Sequence, residues 1–260
     1  MGVKLPWIVF TTNTTTMQKS LILIIFLVIA GYAHAQDKEK ALPPFSKIVA
    51  SPRVNVVLQK GDRESIRLTY SNVSPENVNV IVTRNKLRIY LDHARVVEKQ
   101  ERTYDDGNRR QSIYRNASVT AFITFRELKE IEVRGDQELT CQDEINVDKL
   151  KLRAYGETQI DLASLNTKKF KASLYGENNL KIRSGDAGHQ VYRLFGENKI
   201  DTRGLNSTSA STRIYGEGRL SLTASKELVI NAFGEPFIRV NGSPHINKGI
   251  VIGRANIRLQ

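Results

Sequence analysis

The chain has 260 residues, with 39 Lys and Arg against 27 Asp and Glu, a formal net charge of +12 and 40% hydrophobic residues. That balance leaves enough apolar side chains for a packed core. Cys141 is the only cysteine, which excludes an internal disulfide framework; the lone thiol is expected to pack as a small apolar residue.

Residues 17–35 read as a secretory signal peptide. Lys19 supplies the positive start, Leu21 to Ala30 the apolar core, and Ala33-His34-Ala35 a small-x-small cleavage signal. The apolar run, about ten residues, is too short to span a membrane. Met17 opens this module and is read as the true start, with cleavage after Ala35. No cysteine follows the apolar core, which argues against a lipid anchor. The mature chain, 36–260, keeps 37 basic and 27 acidic residues, a net +10, and holds no transmembrane segment. Its expected location is the periplasm, the outer cell surface or the medium. Such a charge suits anionic partners, whether polysaccharide, lipopolysaccharide or phospholipid. Nucleic acid is not a partner that an exported chain meets first.

Residues 36–44 read as a charged, Pro-ended leader without structure. Residues 45–132 read as an irregular, β-rich first part that caps one end of the fold. Val54, Val56 and Leu58 alternate before a Gly61-Asp62 turn, and strands follow at 66–70, 78–82 and 86–91, the last after an Arg84-Asn85 turn. Residues 92–116, dense in charge, are expected to form a surface excursion or an extended hairpin. Strand alternation returns at 118–125 and 128–133.

From Val133 an aromatic-Gly-Glu triplet recurs, at Tyr155-Gly156-Glu157, Tyr175-Gly176-Glu177, Phe195-Gly196-Glu197, Tyr215-Gly216-Glu217 and Phe233-Gly234-Glu235. The glycines are 20, 20, 20 and 18 residues apart, and a degenerate copy, Arg134-Gly135-Asp136, stands 21 residues before the first. A fixed period near 20 signals a repeat architecture. Two positions before each glycine stand Ala154, Leu174, Leu194, Ile214 and Ala232. Four after it stand Ile160, Leu180, Ile200, Leu220 and Ile238, and six after it Leu162, Ile182, Thr202, Leu222 and Val240. This two-residue alternation predicts two short strands per repeat that meet at the glycine, where a corner needs positive φ or close approach to the next coil. Polar stretches such as 164–167 and 184–188 read as loops between repeats. One coil cannot bury its apolar face alone, so coils must stack and share a core. The fold expected is all-β, a parallel β-helix or β-solenoid over 133–260 with coils of ~20 residues, right-handed because parallel crossovers are. Leucine-rich spacing is absent, and helical repeats need a longer period. The C-terminus, 249–259, reads as one or two final strands.

Phe45 and Ile48 followed by Val54, Val56, Leu58 and Gly61, and then Leu128, Ile131, Val133 and Gly135, resemble the head GIN domain of the auto-transporter adhesin family over roughly residues 45–255. The resemblance implies an exported β-solenoid. Ser51-Pro52 stands where that family usually has a glycine, so the first coil is expected to turn differently. A membrane barrel of an auto-transporter needs eight strands or more, and the 20 residues after Val240 hold none.

Glu157, Glu177, Glu197, Glu217 and Glu235 should align as a column on the coil surface, where like charges ~4.8 Å apart repel. Arg153, Arg193 and Arg213, three positions before their glycines, are the expected ion-pair partners; a Ca²⁺ ion is the alternative, though the calcium-binding glycine-aspartate repeat is absent. The aromatic column, Tyr155, Tyr175, Phe195, Tyr215 and Phe233, reads first as a packing device. Exposed, it would be a platform for sugar rings with the arginines beside it. These arginines, glutamates and tyrosines are the candidate ligand-binding residues. No catalytic residue, metal site or cofactor is assigned. His93, His189 and His245 lack metal-ligand spacing, and no nucleophile elbow or phosphate loop occurs. The leading reading is a non-enzymatic, exported binding or adhesion module for a polyanionic envelope glycan or a protein partner. The alternatives are a β-helix polysaccharide lyase or hydrolase, and an envelope scaffold without small ligand. An open solenoid end is also a strand edge through which two copies could pair.

Overall fold

The structure, a computed structural model, describes residues 39–103 and 109–260; the signal-peptide reading of 17–35 lies outside them. It is a β-solenoid of stacked parallel coils. The strands before the glycines, Glu130–Gly135, Lys149–Gly156, the second part of Gln159–Gly176, the second part of Asn179–Phe195, Leu205–Tyr215, Glu227–Gly234 and His245–Gly253, form one continuous parallel ladder. The strands after the glycines form a second, from Glu138–Asn146 through Lys199–Thr202, Arg219–Thr223 and Phe237–Asn241 to Asn256–Leu259. Equivalent repeat positions stand in register, as in Tyr155 beside Tyr175 and Gly156 beside Gly176.

The alternation places the core as expected. All the residues two before and four and six after the repeat glycines, from Ala154 to Val240, are buried. The coils that contain 144–146, 164–167, 184–187 and 205–207 also have a third side that the polar stretches conceal. Residues 164–167 and 184–187 pair in register as strand, not loop, and Leu165 and Leu205 point inward with no exposure. Burying Leu165 there is worth about 2 kcal/mol, which offsets the cost of ordering a stretch that composition marks as loop.

Two coils lie before the repeats, and their order in space is not their order in sequence. The coil of Lys86–Leu91 and Ser118–Phe125 lies outside that of Lys47–Ala50 and Val54–Lys60, which pairs on its other side with the first repeat strands. Ser65–Ser71 and Val78–Thr83 then run antiparallel along the outermost strands and close that end. The leader, expected to lack structure over 36–44, is paired at Lys40–Ala41, antiparallel to Ser65 and Ile66. Within the excursion, Gln100–Thr103 and Arg109–Ser112 form an antiparallel hairpin. The far end gains a full coil: Gly253, at φ +100, continues the glycine column, and Asn256–Leu259 completes the turn.

The corners explain where glycine is needed. Gly135, Gly156, Gly176, Gly196, Gly216 and Gly234 have φ between +95 and +129, and a Cβ on Gly176 would stand 2.3 Å from the Gly156 carbonyl oxygen. Both reasons for glycine, positive φ and close approach, therefore hold together. In the early part, Arg53 (φ 71), Arg84 (φ 50), Asn85 (φ 62) and His93 (φ 59) turn the chain. These angles lie in the left-handed basin that other residues visit at modest cost, which is why Ser51-Pro52-Arg53 can replace a glycine corner.

Candidate functional site

The aromatic column is a continuous external stack. Consecutive rings from Tyr155 to Phe233 lie 5.0, 4.8, 4.8 and 4.7 Å apart, tilted by 6° or less. Tyr155 is exposed and the other four rings are half-buried. Each interior ring has both faces against its neighbours, so Tyr175, Phe195 and Tyr215 show only their edges to solvent. The faces that a sugar-stacking platform would need are occupied, and the Arg134 guanidinium stands 5.9 Å from the Tyr155 ring at one end. Tyr175→Ala removes two stacked pairs and is expected to cost about 1–3 kcal/mol, read as a lower urea midpoint, while leaving any glycan affinity unchanged.

The glutamates do form a column on the surface. Glu157, Glu177, Glu197, Glu217 and Glu235 are all exposed. The expected partners lie elsewhere, around the corner on the strand before the glycine. Arg153 bonds Glu130 at 2.5 Å and Glu132 at 3.3 Å on the preceding coil, and Arg134 bonds Glu132 at 2.5 Å. Arg193 and Arg213 are exposed and hold no ion pair among the described residues. Among those residues no group of His, Cys, Asp or Glu is placed to hold a metal ion. Cys141 is buried, its thiol pushed up to about 11 by desolvation, so it is a core residue with little thiolate.

Arg193 and Arg213 belong to a wider basic face. On the outward positions of the same strands, Lys149 stands beside Lys169, Lys151 beside Lys171, and Arg193 beside Arg213. Burial, and then the charges of Arg193, Lys151, Arg153 and Lys149, hold the Lys171 amine below its ordinary value. Sequence alignment on the glycine singled out the arginines but not these lysines, which recur five and seven positions before it.

Two of the concavities that border the coils bear on the site. A cleft of about 660 Å³ lies where the excursion meets the start of the aromatic stack, lined by Pro52, Val96, Val97, Arg134 and Tyr155 among others. Glu98 fixes that loop, accepting from Arg53 at 3.0 Å, the Tyr114 N–H at 2.7 Å and the Ser112 hydroxyl. Here the expected excursion acts as a wall of the cleft. The second, about 430 Å³, lies on the face after the glycines and is lined by Lys199, Asp201, Arg203, Arg219, Ser221, Phe237, Arg239 and Arg258. The sequence shows its cations only as scattered residues, because they come from four successive coils.

Comparisons with known proteins agree with this geometry. A crystal structure of a putative adhesin from Bacteroides fragilis superposes with a TM-score of 0.65 at 18% identity, covering 86% of this chain and 95% of that one. One from Parabacteroides merdae gives 0.61 at 16% identity, with the same coverage. A putative lipid binding protein from Parabacteroides distasonis gives 0.61 at 15%, again over 86% and 95%. At such identities the likeness is one of fold. No curated protein matches the sequence. The model of the family described as putative auto-transporter adhesin, head GIN domain, matches residues 44–244, and the chain belongs to that family.

Proposed function

We propose that this chain is an exported, non-enzymatic adhesion module that holds a polyanionic glycan of the cell envelope against the basic face before the glycines. The observation that carries the reading is the register of that face, which sets Lys149 beside Lys169, Lys151 beside Lys171 and Arg193 beside Arg213; burial first, and then the charges of Arg193, Lys151, Arg153 and Lys149, disfavour the charge of Lys171. Like charges held together by a rigid ladder raise the free energy of the empty face, and a polyanion relieves it. Of these cations Arg153 is already neutralised by Glu130 and Glu132, so the lysines, Arg193 and Arg213 carry the interaction. The rigid stack keeps them at fixed spacing, which limits the ordering cost of binding. Family membership supports an adhesive role, and export accords with it.

Polygalacturonate titrated into the purified chain should bind at low salt and weaken as ionic strength rises, because exposed charges are screened. Lys151→Gln, Lys171→Gln and Arg193→Gln together should weaken it at least tenfold, since each lost contact removes about 1 kcal/mol. Equal binding of neutral dextran, or no binding at low salt, would overturn the reading. Shortened polymer would move the chain to the β-helix lyases and hydrolases.

A further inference from the structure

We infer that the second concavity, on the face after the glycines, is a binding site for a small saccharide carrying phosphate monoesters. Two columns of the ladder after the glycines build it. Lys199, Arg219 and Phe237 stand in register in one column, and Ser221, Arg239 and Arg258 in the next. Within a column, neighbours lie ~4.8 Å apart, so four cationic side chains converge on about 430 Å³. Lys199, Arg219, Arg239 and Arg258 hold no ion pair among the described residues. The acid lining the groove is Asp201, and it is consumed: Arg203 grips it through Nε at 2.9 Å and Nη2 at 2.7 Å, which holds its carboxyl below the usual range.

Phe237 gives the site its order. The Arg239 guanidinium lies 5.0 Å and that of Arg258 5.2 Å from its ring centroid. Cation–π contact fixes two planar forks beside each other on a half-buried ring. Such forks match the paired oxygens of an oxyanion better than a flexible ammonium does.

Size and charge select the ligand. The groove is at the small end of ligand pockets, so it admits a sugar of one or two rings. A uronate of that size brings one or two negative charges, too few for four unpaired cations. A phosphate monoester brings roughly 1.5–2 charges each near neutral pH, so two of them on one small sugar match the site. This face is separate from the Lys171 face, and either can fail while the other stands.

Isothermal titration of the purified chain with fructose 1,6-bisphosphate tests the inference, with glucuronate and fructose 6-phosphate as comparisons. The bisphosphate should bind at least about tenfold more tightly than glucuronate, with fructose 6-phosphate between them. Arg219→Gln or Arg239→Gln should each weaken it about tenfold, and Arg193→Gln on the other face should not. All three side chains are exposed, so the fold should persist and circular dichroism should show it. Glucuronate binding as tightly as the bisphosphate, no binding, or binding indifferent to Arg219 and Arg239 would overturn the assignment. A vesicle arm separates the sources of the phosphate. Sedimentation with phosphatidylcholine vesicles containing phosphatidylinositol 4,5-bisphosphate, lost in Arg219→Gln, assigns the group to a lipid headgroup. Tight soluble binding without sedimentation assigns it to a free sugar phosphate.

Discussion

Gly176→Ala is expected to destabilise the chain by about 3–5 kcal/mol, a large effect for one methyl group. Its φ of +108 lies beyond the left-handed basin where Arg53, Asn72 and Asn85 sit at 53 to 71, so the backbone itself resists a Cβ. The new atom would also stand 2.3 Å from the Gly156 carbonyl oxygen and 3.1 Å from its carbon. Backbone cannot swing aside as a side chain can, because that carbonyl belongs to the corner of the coil below. The coils must part locally, and each coil is stable only through its neighbours. Gly61→Ala provides the comparison: there the close atom is the Thr124 methyl, at 2.5 Å, and φ is not positive. It should cost much less. Gly253→Ala should meet the Gly234 oxygen at 2.4 Å yet loosen only the last coil. Urea unfolding with fitted midpoints and m-values reads all three. A loss below 1 kcal/mol at Gly176 would mean that the corner relaxes freely.

These contrasts show what the sequence carries and what it conceals. Alternation about the glycine is a direct record of which side chains face inward, so Leu174, Ile182 and Leu220 were legible as core. The glycine period was legible because one steric demand recurs at every corner. The third side was not, since Gly185-Asp186-Ala187-Gly188 has the composition of a turn while its backbone continues the ladder. Nor were the ion pairs: position in a repeat does not say which side of a corner a long side chain reaches, and Glu130 and Glu132 belong to a coil without the aromatic triplet. Stacking was legible for the rings of Tyr155 to Phe233, but not that their faces would close on one another. The cationic groove is assembled across Lys199, Arg219, Arg239 and Arg258, at two positions in four coils, and becomes visible only when the register is known.

A second element hidden from pattern reading, a buried amide ladder, leads to the other large effect. Two positions after the glycines stand Gln137, Thr158, Asn178 and Asn198, all 3% exposed or less. Polar residues after a glycine look like turn surface; here all four turn inward, and the two asparagines satisfy the corner's own backbone. The Asn198 Oδ1 accepts from the Asn178 N–H at 3.3 Å and from its side-chain amide at 3.0 Å, while the Asn198 amide donates to the Phe195 carbonyl at 3.1 Å. Asn178 repeats the device one coil earlier, accepting the Thr158 N–H at 3.2 Å. Asn198→Ala leaves two buried donors without partners, at about 1–3 kcal/mol each, and frees the half-buried Phe195 carbonyl, so a loss of about 3 kcal/mol or more is expected. Asn198→Asp separates geometry from charge. Protonated, the acid keeps an acceptor and gains an O–H donor for Phe195; ionised, it places a charge in the wall of the core. Burial raises its folded pKa above the unfolded value, so the variant's stability should be highest at acid pH and fall as pH rises through the folded pKa. Thr158→Val is the counterpart, because the Thr158 hydroxyl is buried with no partner. Replacing it by a methyl group removes an unmet polar atom and should cost less than about 1 kcal/mol. A large loss at Thr158 with a small one at Asn198 would reverse the assignment of the ladder's strength to the asparagine amides.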